Sequence, residues 1–222
     1  MRNARKEALT YYFSVEGETE QWYLEWLQKK INSDALSKYS VRFDSKVEKD
    51  PVSRAKRITV IGKTEITHIV DIESEDPEHI AQFHSTIDSL KDAGRQGKSI
   101  TYKLGYSNFT FELWLLLHKR DMQAPLTDRK QYLRYINDTF GEHFDSLSQY
   151  KREDNFKKIL SGLEIDDVKD AIRRAERIMN KKAEDSGRFL REYKGYTYYL
   201  DNPSLTVWEI IKRILSDCKL IK

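Results

Sequence analysis

One cysteine, Cys218, serves all 222 residues. That excludes an internal disulfide, and without a Cys/His cluster at ligand spacing it excludes a zinc site of the usual kind. No apolar run approaches the roughly 20 residues that a membrane-spanning helix needs. The first residues, Met-Arg-Asn-Ala-Arg-Lys-Glu-Ala, contain no apolar core of the secretory type. The expected compartment is the cytoplasm, with no membrane partner. There is no internal repeat, no low-complexity tract and no flexible linker. Neither sign of charge dominates. The 39 Lys and Arg face 36 Asp and Glu, a net of +3, which is too balanced to argue for nucleic acid by itself.

What the chain does have is apolar bulk: 39% hydrophobic residues, with 13 Tyr, 9 Phe and 4 Trp. A sizeable core is expected and disorder is not. The charge is also unevenly placed. Residues 129–222 hold 20 basic and 16 acidic side chains, and the remainder 19 and 20. A mildly basic second part beside an acidic first part suits a protein that handles phosphodiesters.

The acidic part is organised around residues 9–20, Leu-Thr-Tyr-Tyr-Phe-Ser-Val-Glu-Gly-Glu-Thr-Glu. A β-branched and aromatic strand stops at Glu16, and Gly17 is expected to let the chain turn sharply. A helix follows, with Trp22, Tyr23, Trp26, Leu27 and Ile31 at helical spacing. Glu16 then stands at the carboxyl end of a strand, the edge where open α/β sheets bind ligands. Glu18 and Glu20 either join it there or simply favour the helix dipole. Further strands are expected near 40–47, 66–72 and 99–105, and helices over 51–59 and from Pro77. This alternation predicts an α/β fold with a mainly parallel sheet.

A second acidic group, Asp71-Ile-Glu73-Ser-Glu-Asp76, ends the third expected strand. Alternation along a strand puts Asp71 and Glu73 on one face. Two adjacent carboxylates repel, and a hard divalent cation, Mg²⁺ or Mn²⁺, relieves the repulsion. If the strands carrying Glu16 and Asp71 are neighbours, three carboxylates converge. The alternative is a solvated acidic turn, with Asp76 capping a helix.

After Ser107, the stretch Phe109–His118 is apolar except for Glu112, so a buried helix is expected, with Asn108 as its N-cap. A buried carboxylate must pair, protonate or approach a metal. Glu112 is thus either a structural hydrogen-bonding group or a support for the acidic site. His118 is expected to be a satisfied core histidine. Helices follow near 128–140, 152–161, 164–183 and 203–216. The 164–183 helix carries Arg173, Arg174, Arg177 and Lys181 on its polar face, which is either simply solvated or a phosphate-contacting surface. Residues 1–120 are expected to form the α/β core, and 121–222 a helical part packed on it as one unit.

A strand ending in Glu-Gly, followed by a later strand ending in Asp-x-Asp, resembles the Toprim domain. Three segments resemble more closely the RloB-like family of small Toprim proteins from bacterial restriction and phage-defence loci: Val15–Glu20, Ser107-Asn-Phe-Thr-Phe-Glu-Leu-Trp-Leu-Leu-Leu-His118, and Asn202-Pro-Ser-Leu-Thr-Val207. The chain departs from the family pattern at Glu73, where the second Asp is expected, and at Phe109, where proline is usual. The resemblance implies Glu16 as general acid/base and Asp71 and Glu73, with Glu16, as ligands of Mg²⁺ or Mn²⁺. Glu20, Glu112 and Asn108 are the expected supporting residues. Arg173, Arg177 and Lys181 are the expected nucleic-acid contacts. The implied activity is cleavage of RNA or DNA in antiviral defence, with an ATPase protein partner; a homodimer is left open. The chain is too short for a topoisomerase gate and lacks the companion domains of a primase. The alternatives are a Toprim-like module that binds nucleic acid or a nucleotide without cutting it, and an acidic edge that docks a basic partner.

Overall fold

The computed structural model describes residues 6–60, 62–185 and 188–221. Met1–Arg5, part of the segment read as lacking a secretory core, lie outside them.

Strand β1 (Ala8–Val15) runs directly into helix α1 (Glu18–Ser33), which buries Tyr23, Leu24, Leu27 and Ile31. Next come β2 (Ser40–Val47) and α2 (Pro51–Arg57). Asp50 caps α2 by accepting from the amides of Val52 and Ser53, and Pro51 fills the first turn, where its missing N–H costs nothing. β3 (Thr64–Asp71), α3 (Pro77–Ala93) and β4 (Ile100–Asn108) complete the alternating part. Then follow α4 (Glu112–Leu117), α5 (Gln131–Phe140), α6 (Leu147–Tyr150), α7 (Glu153–Ser161) and α8 (Ile165–Glu184). The chain ends with β5 (Leu190–Tyr193), β6 (Tyr196–Tyr199), β7 (Ser204–Leu205) and α9 (Val207–Asp217).

The main sheet has the order β2-β1-β3-β4-β7. Its first four strands are parallel, and the short β7 pairs antiparallel with the end of β4. The expected α/β class and mainly parallel sheet are therefore found. β1 and β3 are neighbours, with Val15 opposite Ile69, and Asp71 lies opposite Ser107 of β4. Because these strands run the same way, their carboxyl ends gather at one edge.

Alternating side chains send the two sheet faces into different cores. Phe13, Val15 and Ile69 pack in the larger core with α1, α4, α8 and α9. Ile66 and Tyr102 meet Ala55 and Leu90, and Val70 and Tyr106 meet Phe83 and Ile87. The larger core runs without a break from Phe13 to Leu220. Helix α4 is buried on every side, as its unbroken apolar sequence requires. Among the described residues, no helix is long and apolar enough to cross a membrane.

Several expectations are corrected. Asn108 does not cap α4. It is still in β4, the helix begins at Glu112 with Phe111 at the cap position, and the Asn108 amide instead donates to the carbonyl of Leu200 at 2.7 Å. The last helix starts at Val207 rather than Pro203, because Ser204 and Leu205 first pair with β4. The β5–β6 hairpin was not anticipated. Its turn is Lys194-Gly195 with φ of 48° and 77°, the doubly left-handed geometry of a two-residue hairpin. Gly17 has φ −138° and ψ 170°, an extended conformation open to any residue, so turning is not what requires it.

Candidate active site

The carboxyl edge of the sheet holds a cleft of about 280 Å³ lined by Glu16, Glu20, Asp71 and Glu73, with Lys49, Arg129 and Lys151 among the other lining residues. Each acid is placed by a different local cause. Glu16 is the first residue after β1, and one carboxylate oxygen lies 3.4 Å from the amide of Asp71, which donates to it. Asp71 ends β3 one strand away. Glu20 is in the first turn of α1, buried, and accepts from the hydroxyl of Thr19 at 2.9 Å. A Cβ at position 17 would meet a Glu20 carboxylate oxygen at 2.8 Å. A side chain at position 17 would therefore have to push the Glu20 carboxylate aside.

Glu73 reaches the cleft by another route. It has left the strand, with φ +65°, and its amide donates to the carbonyl of Phe109 at 2.9 Å. Strand alternation therefore does not determine where its side chain points. Its carboxylate is engaged by Arg129 at 3.1 Å and by the ring of His79 at 3.4 Å. A non-glycine residue in the left-handed region costs on the order of 1 kcal/mol or more and persists only where its surroundings enforce it.

Glu112 projects from α4 and is 1% exposed. It accepts a short hydrogen bond from the Thr110 hydroxyl, and the ammonium of Lys151 lies 3.0 Å away. A salt bridge and a side-chain hydrogen bond thus satisfy the buried Glu112 carboxylate. Lys151 comes from the α6–α7 corner, more than a hundred residues after Glu16, and sequence reasoning missed it. Lys49 and Arg129 were also missed. Each is one lysine or arginine among many, and no local pattern distinguishes it.

Burial dominates the electrostatics. It pushes the Glu16 carboxyl up to about 7, assisted by repulsion from Glu20 and Glu73 and opposed by the Asp71 amide and Lys49. Asp71 is held well above the usual carboxylate range by burial and by the charges of Glu20 and Glu112. Burial raises Glu20 too. For Glu112, burial alone would act the same way, but the Lys151 ammonium and the Thr110 hydroxyl outweigh it and hold the carboxyl low. The cleft thus sets two ion pairs, Glu73–Arg129 and Glu112–Lys151, beside three carboxyls that bind protons too tightly for their type.

Among the described residues, no three His, Cys, Asp or Glu side chains form a ready coordination sphere. The chemistry of the donors still fits a hard divalent cation: oxygen ligands only, with mutual repulsion that a cation would relieve. Glu16 and Asp71 are best placed to supply it, because the Glu73 carboxylate is already paired.

Other expected site residues lie apart. Arg173, Arg177 and Lys181 do not line the cleft. Arg173 pairs with Asp170, and Arg177 lies 3.2 Å from Asp121. Arg174, in the same stripe, donates to the carbonyls of Leu117 and His118 at the end of α4. Asn108 ties β4 to Leu200, just past the end of β6, as described above. His118 is buried between the Tyr23 hydroxyl and the Trp114 carbonyl, and burial drives it down to about 4.

No curated protein and no solved structure matches the chain. One protein-family profile does, described as RloB-like protein, over residues 11–214. That match takes in β1 from Tyr11 onward, the residues of the cleft from Glu16 to Lys151, and most of α9, and on that extent the chain belongs to the RloB-like family.

Proposed function

We propose that this protein is a Toprim-type, metal-dependent nuclease that cleaves phosphodiester bonds of RNA or DNA in bacterial antiviral defence, working with an ATPase protein. The observation that carries the reading is Glu16: a partly buried carboxyl at the end of a parallel strand, beside Asp71, binding its proton with a pKa of about 7. A group poised near the working pH is what general acid/base transfer needs. Glu16 would accept the proton of the attacking hydroxyl or water, or return one to the departing oxygen. Glu16 and Asp71 would hold a divalent cation, with Glu73 joining once Arg129 lets go. When bound, Mg²⁺ or Mn²⁺ would supply positive charge against the phosphate oxygens. Lys49 and Arg129, at the same cleft, would orient the phosphate. Supporting phosphate contacts are assigned to Arg173, Arg177 and Lys181.

A second reading is favoured by Glu73. With its carboxylate paired to Arg129 and His79, the cleft would have fewer open ligands, and the protein would bind nucleic acid or a nucleotide without cutting it. Purified protein incubated with RNA and DNA in parallel, with Mg²⁺, Mn²⁺ or EDTA, separates the two. Metal-dependent cleavage abolished by Glu16→Gln supports the nuclease. Tight binding without cleavage in either metal supports the binding module.

A further inference from the structure

Five carboxylate residues, Glu16, Glu18, Glu20, Asp71 and Glu73, line this cleft. Of its cations, Lys49, Arg129 and Lys151, it is Lys151 that pairs with the buried Glu112 behind them. The backbone fixes it there. Lys151 directly follows Tyr150, which is fully buried and packs its ring between Phe144, at 6.0 Å, and Phe156, at 5.6 Å. The Lys151 side chain keeps 31% of its surface open, whereas its partner Glu112 keeps 2%. The contact, 3.0 Å between charged atoms, is one of two that hold the Glu112 carboxylate, the other being the Thr110 hydroxyl. Among the described residues, the buried Tyr150 hydroxyl has no hydrogen-bond partner.

We infer that Lys151 is a tethered cation that stands in the acidic cleft where a divalent ion would otherwise be drawn, and that it sets the concentration at which Mg²⁺ or Mn²⁺ enters. This rests on the metal-site reading of the cleft. The reasoning is charge counting at short range. A buried carboxylate needs a positive partner. While Lys151 provides one for Glu112, an arriving divalent ion meets both a reduced negative field and a like charge. Remove the ammonium and Glu112 becomes a buried, unpaired anion whose best remedy is the divalent ion itself. Interactions between full charges this close are large even at the effective dielectric of a protein.

The test is Mn²⁺ binding by calorimetry, with Mn²⁺-induced change in Tm as a second readout, on the full chain. Lys151→Met should bind Mn²⁺ at least about tenfold tighter than wild type, and its Tm should rise further with Mn²⁺. Lys151→Arg, which keeps the charge, should bind like wild type. Should Lys151→Met fail to fold, the pair Glu112→Gln and Glu112→Gln/Lys151→Met carries the test: the double variant should bind about tenfold tighter than Glu112→Gln alone. Wild type that binds Mn²⁺ while Lys151→Met binds equally or more weakly would overturn the role of Lys151 and leave the metal site standing. No Mn²⁺ binding by wild type or by any of these variants would overturn the metal site and this inference with it.

Discussion

Replacing Glu16 by Gln isolates the carboxyl that the proposed chemistry depends on. Glutamine keeps the size of the side chain and can still accept from the Asp71 amide, which lies 3.4 Å from the present oxygen. What it removes is an ionisable group that burial pushes from its ordinary 4.5 up to about 7. Below the unfolded value the group is protonated in both states, and Glu and Gln should be equally stable. Between 4.5 and 7 the unfolded chain ionises first, so the wild type loses stability steadily as pH rises. Above 7 the loss is complete. At about 1.4 kcal/mol for each tenfold change in proton affinity, the penalty is roughly 3 kcal/mol at most. Partial exposure reduces it, so about 1–3 kcal/mol is expected. For a chain of this size each kcal/mol moves Tm by about 2–4 °C. The variant should therefore melt several degrees above wild type at pH 8 without metal, and the gap should close toward pH 4.5. Turnover of nucleic acid should meanwhile fall by roughly 10²–10⁴-fold. Calorimetric melts across that pH range check the first arm. If the variant melts at or below wild type at pH 8, or if the two profiles run parallel, Glu16 is not a strained carboxyl and loses its claim to the proton.

Divalent-ion binding should release protons, because Glu16, Glu20 and Asp71 all hold theirs too tightly. Mn²⁺ affinity should rise from pH 6 to pH 8, and calorimetry in buffers of different ionisation enthalpy should count the protons; affinity independent of pH contradicts this account. Gly17→Ala should cost no more than about 1 kcal/mol of stability in denaturant titrations, because its backbone is permissive and the Glu20 oxygen 2.8 Å from the added methyl is the end of a side chain that can swing aside. A larger loss means that the Glu20 carboxylate is held rigidly in place. Reversing charge at Arg173 and Arg177 should weaken nucleic-acid binding and flatten its salt dependence, leaving Mn²⁺ binding unchanged; an unaltered salt slope would mark α8 as a merely solvated face.

The alternating part of the fold is legible in the sequence because its signals are local. The β-branched run before Glu16, Asp50-Pro51, and the apolar steps of α3 each mark an element without reference to anything distant. The acid-ended strands locate Glu16 and Asp71 in the same way. What cannot be read is whatever depends on the chain returning from afar. Lys151 is one of 39 basic residues, and only the packing of Tyr150 brings it to Glu112. Glu73 breaks the strand rule because its amide bonds to Phe109 rather than continuing a ladder. Asn108 looks like a helix cap, since it precedes an apolar helix, yet a carbonyl 92 residues away claims its amide. The β5–β6 turn uses Lys-Gly where Asn-Gly is the familiar signal, so the hairpin is hidden in an aromatic run.

The border of β4 bears on how the protein is made. β7 covers that strand only at Ser107 and Asn108, and the Thr206 hydroxyl continues the cover, accepting from the Tyr106 amide and donating to the Leu104 carbonyl. On the ribosome, β4 emerges about a hundred residues before this cover exists, which at bacterial elongation rates is on the order of 5–20 seconds. Throughout that interval an aromatic strand presents bare amides and carbonyls to its surroundings, with Lys103 as one charge interrupting it. A nascent chain stalled before Ser204 would carry a sticky edge, and ribosome-bound chaperones should be found on it until the C-terminal segment folds back.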